Sequence, residues 1–361
     1  MSQTFPFTRA KSIGWAFGEI FTSAQANTMD ANAAQAADGL VWSDFAQLRN
    51  WRTGSVTNIT TTAACAWDAT KYCWFVAGYN GTTPEAGAAL ASGNGNDIAL
   101  GGAVDAGAGL VCGPEAACVA PDGSWLFGGA PGSSSQQKIR RSTDTGANWA
   151  AQNTVATGTT GVNLLHTFAG LAIAGLANGN IETSPNGTLW TNRTVPNANA
   201  RGSVASSASI VVIASPTVTT NKVITSGDGI TWTERTMPSS LKWRVAYSAV
   251  DGKFIATSES SIAWSTDGIT WSTSGVTVPS FQANTGARGG IVVLNRAWIV
   301  HDGFNFGTIF GSIDAGATWR PLAILGGADT FCWRVGDRAI LAVGNDGVGN
   351  TYSQTLSLGG R

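Results

Sequence analysis

Few side chains in this sequence combine a type and a context that would support acid–base or nucleophilic chemistry. His166 lies in an apolar run typical of a buried strand, and His301 is followed by Asp302 in a stretch that favours a turn over a His–Asp dyad. No serine has the context of a nucleophile elbow, and no glycine-rich loop follows a strand and opens a helix. The sequence therefore predicts no catalytic residue, no metal site and no cofactor.

The five cysteines are predicted to be free thiols in the core, because most of them lie in apolar, strand-like contexts. Their spacing does not fit a CxxC metal pair. A disulfide between the third and fourth cysteines is the alternative, and it would require an oxidising compartment. Residues 1–11 lack the continuous apolar core of a signal peptide, so we expect no export signal. The cysteines are Cys65, Cys73, Cys112, Cys118 and Cys332.

An acidic or amide residue recurs in five copies of one short phrase that begins with serine and ends with tryptophan. Successive copies are 42, 42, 39 and 47 residues apart. Asp and Asn side chains bond the backbone of their own turn, and the glycine of the phrase tolerates positive φ. Each Asp or Asn is therefore expected to have a structural role, and each indole to fill the gap between neighbouring sheets. The positions are Asp144 with Trp149, Asn186 with Trp190, Asp228 with Trp232, Asp267 with Trp271, and Asp314 with Trp319.

The phrase resembles the Asp-box, or BNR repeat, of sialidases and of many non-enzymatic β-propellers. A period of about 40–45 residues is the length of one four-stranded propeller blade. Independently, a tight turn followed by a short apolar run occurs seven times, as at Asp68, Asp122 and Asp251. These signals predict an all-β fold, a seven-bladed β-propeller of four-stranded antiparallel blades over residues 47–361. A strand near residues 48–54 is predicted to complete the last blade and close the ring.

The sialidase resemblance implies a site in which three arginines bind a carboxylate and a tyrosine paired with a glutamate acts as the nucleophile. The candidates are Tyr247 with Glu234 or Glu259, and Arg201, Arg288 and Arg334. Tyr247 falls within a predicted strand, where it would pack, and the family's Arg-Ile-Pro tripeptide does not occur. We therefore expect no enzymatic activity. The alternatives are a sialidase-like glycoside hydrolase and a glycan-binding lectin.

Residues 1–46 are predicted to be an N-terminal segment with one Ala-rich α-helix over about residues 23–38. Thr22 and Gln25 fit a capping box at its start, Met29 is its large apolar side chain, and Gly39 suits the C′ position. A helix with so little apolar area is marginal alone, so we expect it to require a partner surface.

Residues 18–39 are similar to the N-terminal attachment segments of tailed-bacteriophage tail fibre and tail-associated proteins. This resemblance implies a virion protein, assembled in the bacterial cytoplasm, that docks to other virion proteins through residues 1–46 and forms a homo-oligomer, with a trimer favoured. The propeller would then bind a host-surface receptor or glycan through loops at residues 79–92, 133–138 and 301–307. The alternatives are an architectural virion spacer or cap, and a cellular assembly factor similar to the photosystem-assembly propellers.

The composition narrows the possible partners. The net charge is −1 and only 12% of the residues are charged, which argues against a nucleic-acid partner, because such proteins carry a basic patch. No stretch is long and apolar enough to predict membrane insertion.

Overall fold

The computed structural model describes residues 52–56, 62–79, 84–90, 97–98, 110–131, 137–155, 160–197, 199, 201–215, 220–258, 261–273, 290–294, 297–301, 308–312, 314–324, 329–335, 339–345 and 351–357. The chain divides into two compact units, Met1–Asn50 and Trp51–Arg361. The predicted attachment segment and its helix, with Thr22, Gln25, Met29 and Gly39, lie outside the described residues.

Every regular element in the described part of the chain is a β-strand. In chain order the strands are β1 (Arg52–Val56), β2 (Thr62–Asp68), β3 (Cys73–Tyr79), β4 (Pro84–Leu90), β5 (Asp97–Ile98), β6 (Leu110–Val119), β7 (Trp125–Pro131), β8 (Gln137–Ser142), β9 (Ala150–Asn153), β10 (Val162–Phe168), β11 (Leu171–Leu176), β12 (Ile181–Ser184), β13 (Thr191–Arg193), β14 (Ser203–Ser206), β15 (Val211–Ala214), β16 (Thr220–Ser226), β17 (Thr233–Leu241), β18 (Arg244–Ser248), β19 (Lys253–Thr257), β20 (Ile262–Ser265), β21 (Ser272–Thr273), β22 (Gly290–Leu294), β23 (Ala297–His301), β24 (Thr308–Ser312), β25 (Arg320–Ile324), β26 (Asp329–Val335), β27 (Ala339–Asn345) and β28 (Thr351–Ser357).

Within each group of three or four successive strands, neighbours in the chain pair antiparallel. The β14–β17, β18–β21 and β22–β25 sheets each have four strands. The β6–β9 and β10–β13 strands form one eight-stranded sheet, joined by a single parallel bridge between Leu164 and Glu115. The β2–β4 sheet has three strands in the described residues, where the sequence predicts four.

The hairpin of β18 and β19 shows how the sequence forms these sheets. Tyr247 pairs with Phe254, and Ser248 with Lys253, on either side of a tight turn. Ser248 Oγ donates to Asp251 Oδ2 at 2.6 Å within this turn, and Gly252 adopts a φ of +62°. An Asp-Gly pair therefore closes the hairpin because one residue binds its own turn and the other tolerates the left-handed conformation.

The second strands are buried on both faces, because each sheet lies between two others. All four residues of β15 are buried, as are five of the six in β11. Such strands read as continuous apolar runs instead of alternating ones, which is why the sequence shows them as short apolar clusters.

The first strands of successive sheets contact one another in a closed series. β2 contacts β6, β6 contacts β10 and β10 contacts β14, and the series continues through β18, β22 and β26, which contacts β2 again. The apolar cores lie between neighbouring sheets, as where Ile173 of β11 packs in one cluster with Val211 and Ile213 of β15. This arrangement places the first strands around a common central space.

The beginning and the end of the second unit share one sheet. β1 pairs antiparallel with β28, with Arg52 opposite Thr355 and Ser55 opposite Tyr352. β26, β27, β28 and β1 are thus consecutive strands of a sheet, and the short β5 adds to β1 in parallel. Residues 48–51 of the predicted closing strand lie outside the described part.

One sequence prediction is wrong. Residues 79–92 were expected to be an irregular loop, but Pro84–Leu90 forms β4, which pairs with β3 from Tyr79↔Pro84 to Cys73↔Leu90. Proline is tolerated there because it occupies the first position of the strand.

The prediction of buried free thiols is confirmed for Cys65, Cys73 and Cys118. The alternative disulfide through Cys118 is therefore not formed.

Candidate functional site

The five Asp/Asn turns join the third and fourth strands of their sheets and share one hydrogen-bond pattern. In the turn after β16, Ser226 Oγ donates to Asp228 Oδ1 at 2.9 Å and accepts the Gly229 N–H at 2.8 Å. The same Oδ1 accepts the N–H groups of Ile230 and Thr231 at 2.8 and 2.7 Å. The turns of Asp144, Asn186, Asp267 and Asp314 repeat this serine–carboxylate or serine–amide core.

These hydrogen bonds hold the turn carboxylates in the ionised form. Donation from the Thr231 and Ile230 N–H groups lowers the pKa of Asp228 to about 2. The Asn148 side chain and N–H similarly lower the pKa of Asp144 to about 2. A carboxylate with so low a pKa is a poor general acid or base near neutral pH. The acidic residues of these turns are thus suited to a structural role.

The Asn186, Asp228 and Asp267 turns also lie close to the strands of the preceding repeat. A Cβ added to Gly187 would lie 2.7 Å from Leu126 Cδ2, and one added to Gly268 would lie 3.0 Å from Val212 Cγ2. Arg141 Nε donates to the Asn186 carbonyl at 2.9 Å across the same boundary. The glycines are therefore required both for their positive φ and for this close approach.

The tryptophan of each phrase lies in a core cluster between sheets. Four of the five indoles donate Nε1–H to the glycine carbonyl of their own turn at 3.1–3.2 Å, and the Nε1 of Trp232 is buried without a hydrogen-bond partner. The clusters combine Trp149 with Phe75 and Phe127, Trp190 with Leu126 and Leu165, Trp232 with Ile173 and Val211, Trp271 with Val212 and Phe254, and Trp319 with Ile255 and Trp298.

A second kind of inter-sheet link was not predicted from the sequence. Trp125 Nε1 donates to Asp68 Oδ2 at 2.7 Å, and Trp298 Nε1 donates to Asp251 Oδ2 at 3.0 Å. In both cases an aspartate in a first hairpin turn binds the second strand of the following sheet. The sequence signal was present as a turn acid in one repeat and a strand-initiating tryptophan in the next.

The first strands surround a solvent-accessible central cavity of about 420 Å³. Among the described residues its wall comes from β2, β6, β10, β14, β18 and β22. Its polar and aromatic side chains are Trp67, Glu115, His166, Thr167, Ser206 and Tyr247. Loops and strand ends around a preformed concavity are where binding sites usually occur.

Several of these side chains are fixed by neighbouring strands. His166 Nε2 lies 2.9 Å from Ser206 Oγ, and Thr167 Oγ1 donates to the Val119 carbonyl. The Tyr247 ring centroid lies 4.7 Å from that of Phe254. His166 is thus a half-buried residue of the cavity wall instead of the core residue that the sequence indicates, because the first strand of a sheet exposes one edge to the central space.

Glu115 lies in the cavity wall, and its carboxylate acts on Arg244 of β18. Glu115 lies where the pairing of β6 with β7 shifts between Cys112 and Ala117, and such irregularities redirect side chains and occur often at binding sites. Burial lowers the pKa of Arg244 to about 10, and the Glu115 carboxylate acts in the opposite direction. The two groups thus interact electrostatically, although they come from strands that are not neighbours.

Solved structures similar to this chain share its architecture at low sequence identity. A structure of YCF48 bound to D1 peptide has 14% identity and a TM-score of 0.59, covering 84% of this chain and 96% of that one. YCF48 from Cyanidioschyzon merolae has 15% identity and a TM-score of 0.57, covering 84% and 98%. The WD40 β-propeller domain of Doa1 has 13% identity and a TM-score of 0.57, covering 85% and 97%.

The fold is that of a β-propeller. At these identities the likeness concerns the fold alone. No protein-family model and no curated protein matches the sequence.

Two of the sialidase-type candidates that the structure describes, Glu234 and Arg201, are bonded to other groups. Glu234 lies on β17, where its carboxylate accepts from Asn197 Nδ2 at 2.8 Å and pairs with Lys222 Nζ at 3.1 Å. Arg201 is buried and donates to the carbonyls of Gly179 and Asn197. Glu259, Arg288 and the side chain of Arg334 lie outside the described residues. The guanidinium of Arg201 is thus used by the backbone, away from Tyr247.

Two other kinds of site are absent from the described ranges. There, no group of three or more His, Cys, Asp or Glu residues is arranged to hold a metal ion. No helical segment in that part has the length and apolar character needed to cross a bilayer.

Proposed function

We propose that this chain is a non-enzymatic virion protein of a tailed bacteriophage whose propeller binds a receptor on the host surface. The observation that carries the proposal is how the polar side chains are used. The turn acids and Arg201 are bonded within the scaffold, and a separate set that includes Glu115, His166 and Tyr247 lines an open cavity, where His166 also contacts Ser206. This division favours binding over catalysis, because no paired nucleophile and base lies among the described contacts.

The propeller of this proposal has seven four-stranded blades with Asp-box corners. The closed series of contacts among β2, β6, β10, β14, β18, β22 and β26 supports that number. The antiparallel pairing of β1 with β28 supports closure of the last blade by a strand from the beginning of the unit. Closure of this kind removes two strand edges that would otherwise invite aggregation.

Residues 1–46 are proposed to attach the propeller to other virion proteins during assembly in the bacterial cytoplasm. The support is the resemblance of residues 18–39 to tail attachment segments, together with the capping residues Thr22, Gln25 and Gly39. An Ala-rich helix that is marginal alone gains stability in an oligomer, and a trimer is the proposed state.

Three other functions compete with this proposal. A purely architectural spacer or cap would use the same attachment segment but would leave the cavity without a ligand. A peptide-binding cellular protein would parallel the YCF48 structure that holds a D1 peptide. A sialidase-like hydrolase requires arginines around Tyr247, which the bonds of Arg201 disfavour.

The test uses phage particles produced with full-length protein or with a variant that lacks residues 1–40. We expect the variant to remain soluble and folded but to be missing from purified particles. Purified full-length protein should also slow adsorption of the particles to host cells. Normal incorporation of the truncated protein would contradict attachment, and unchanged adsorption would contradict receptor binding.

A further inference from the structure

We propose that the central cavity is a binding subsite for a neutral sugar residue of a surface glycan. This inference rests on the proposed receptor-binding function and names both the site and the ligand class. The cavity of about 420 Å³ lies within the range of roughly 300–1,000 Å³ that is typical of small-ligand sites. It would hold one or two sugar rings and is too small for a folded partner.

The polar wall of the cavity matches the chemistry of sugar hydroxyl groups. A sugar hydroxyl both donates and accepts hydrogen bonds, so it is best bound by groups that do the same or by a mixture of donors and acceptors. Ser206 and Tyr247 supply hydroxyls, His166 supplies a ring whose Nε2 contacts Ser206 Oγ, and Glu115 supplies a carboxylate. His166 and Ser206 are already held at 2.9 Å, which reduces the entropy lost on binding.

The aromatic wall matches the apolar face of a sugar ring. Trp67 and Tyr247 line the cavity from β2 and β18, which belong to sheets that are not neighbours. Each ring is supported from behind, Trp67 by Trp74 at a centroid distance of 4.8 Å and Tyr247 by Phe254 at 4.7 Å. Rigid aromatic rings with a polar edge contribute binding area at little conformational cost.

The charge balance favours a neutral ligand. Among the described lining residues, Glu115 brings a carboxylate, and none is a lysine or arginine. A polyanion would therefore meet this carboxylate without a cluster of cations. A neutral saccharide avoids that penalty and can hydrogen-bond to the polar side chains of the wall.

The test measures saturation-transfer NMR on the full chain with free glucose, galactose, mannose and N-acetylglucosamine, and with tetraalanine as a peptide probe. We expect at least one sugar to bind and tetraalanine not to. Glu115→Gln and Tyr247→Phe should each weaken that binding at least tenfold. Glu234→Gln, a matched change on the outer strand β17, should leave it within twofold.

Thermal unfolding of each variant distinguishes lost binding from lost folding, and Tyr247→Phe keeps the packing on Phe254 if Glu115→Gln proves unstable. Binding of no sugar, binding of the peptide alone, or sugar binding that is unchanged in folded Glu115→Gln and Tyr247→Phe would overturn the inference. The proposed function is judged separately by particle adsorption. Adsorption that is blocked equally by wild type and Glu115→Gln would contradict the subsite and leave the receptor function standing.

Discussion

At the scale of single residues, the Asp/Asn turns depend on one side-chain oxygen that accepts several donors. Asp228 Oδ1 receives the Ser226 hydroxyl and two backbone N–H groups. Asn186 occupies the equivalent position with an amide oxygen that accepts from Ser184 and Thr188. An amide oxygen thus occupies the same position as a carboxylate oxygen, and the acceptor oxygen is what the turns have in common.

Asp228→Ala should therefore destabilise the propeller by about 1 kcal/mol, the usual effect of losing a turn or cap acceptor. Asp228→Asn should cost less, because it restores the oxygen that Asn186 already supplies. Urea unfolding of the two variants measures the difference. Equal losses for Ala and Asn would contradict the role assigned to this oxygen.

The depressed pKa of Asp228 adds a pH dependence with a definite sign. A carboxyl whose folded pKa is about 2, below its unfolded value of about 3.9, stabilises the fold above pH 4 and loses that contribution as the pH falls towards 2. The stability difference between wild type and Asp228→Asn should be constant above pH 5 and change in favour of the variant between pH 4 and 2. Urea midpoints across this range provide the measurement, and a difference that does not vary would refute the assignment.

At the scale of elements, neighbouring sheets are joined by buried polar contacts and by the close approach of turns. Trp125 and Asp68 are both buried, and their hydrogen bond joins β7 to the end of β2. Lys71 pairs with the same carboxylate at 2.8 Å, so the acid is satisfied from two sides. Loss of one partner leaves a buried polar group unpaired, which costs more than the bond itself contributes.

A double-mutant cycle of Asp68→Asn and Trp125→Phe should give a coupling energy of about 1–2 kcal/mol. Asp122→Asn is the matched control, because Asp122 occupies the next hairpin turn but bonds Ser124 and Arg141 instead of Trp125. The effects of Asp122→Asn and Trp125→Phe on the free energy of unfolding should be additive. Equal coupling in both cycles would show that the link does not depend on the observed bond.

Two glycines with the same backbone conformation allow the stability cost of backbone strain to be distinguished from the cost of lost packing. Gly123 and Gly187 have φ of +81° and +77°, but an added Cβ meets nothing within 4 Å at Gly123 and lies 2.7 Å from Leu126 at Gly187. Gly123→Ala should cost about 1 kcal/mol through the left-handed conformation alone. Gly187→Ala should cost clearly more, since its turn must also move away from the preceding sheet. Similar losses in urea unfolding would contradict a packed boundary between the two sheets.

At the scale of the whole molecule, the repeats allow the fold to be predicted from the sequence. The central cavity cannot be predicted in the same way. The spacing of the five phrases and the turn-plus-apolar runs are local signals, so the all-β architecture follows from them. The bond from Trp125 to Asp68 spans 57 residues, and the cavity combines residues from six first strands. Such contacts exist only once the sheets are assembled, which is why His166 was misread as a core residue.

The strand β4 was missed for a different physical reason. Its sequence, Pro84–Leu90, is composed of small residues with a leading proline and has neither alternation nor β-branched side chains. Pairing with β3 along its whole length supplies the stability that local propensity does not. Tertiary context therefore decides the conformation of this segment.

The account depends on a closed ring of sheets around a cavity that contains Glu115, His166 and Tyr247. An experimental density map of the full chain tests this most directly. We expect seven radial sheets, the last completed by β1, with those three side chains facing the central space. An open array, a different number of sheets, or a central space walled by other residues would contradict the account.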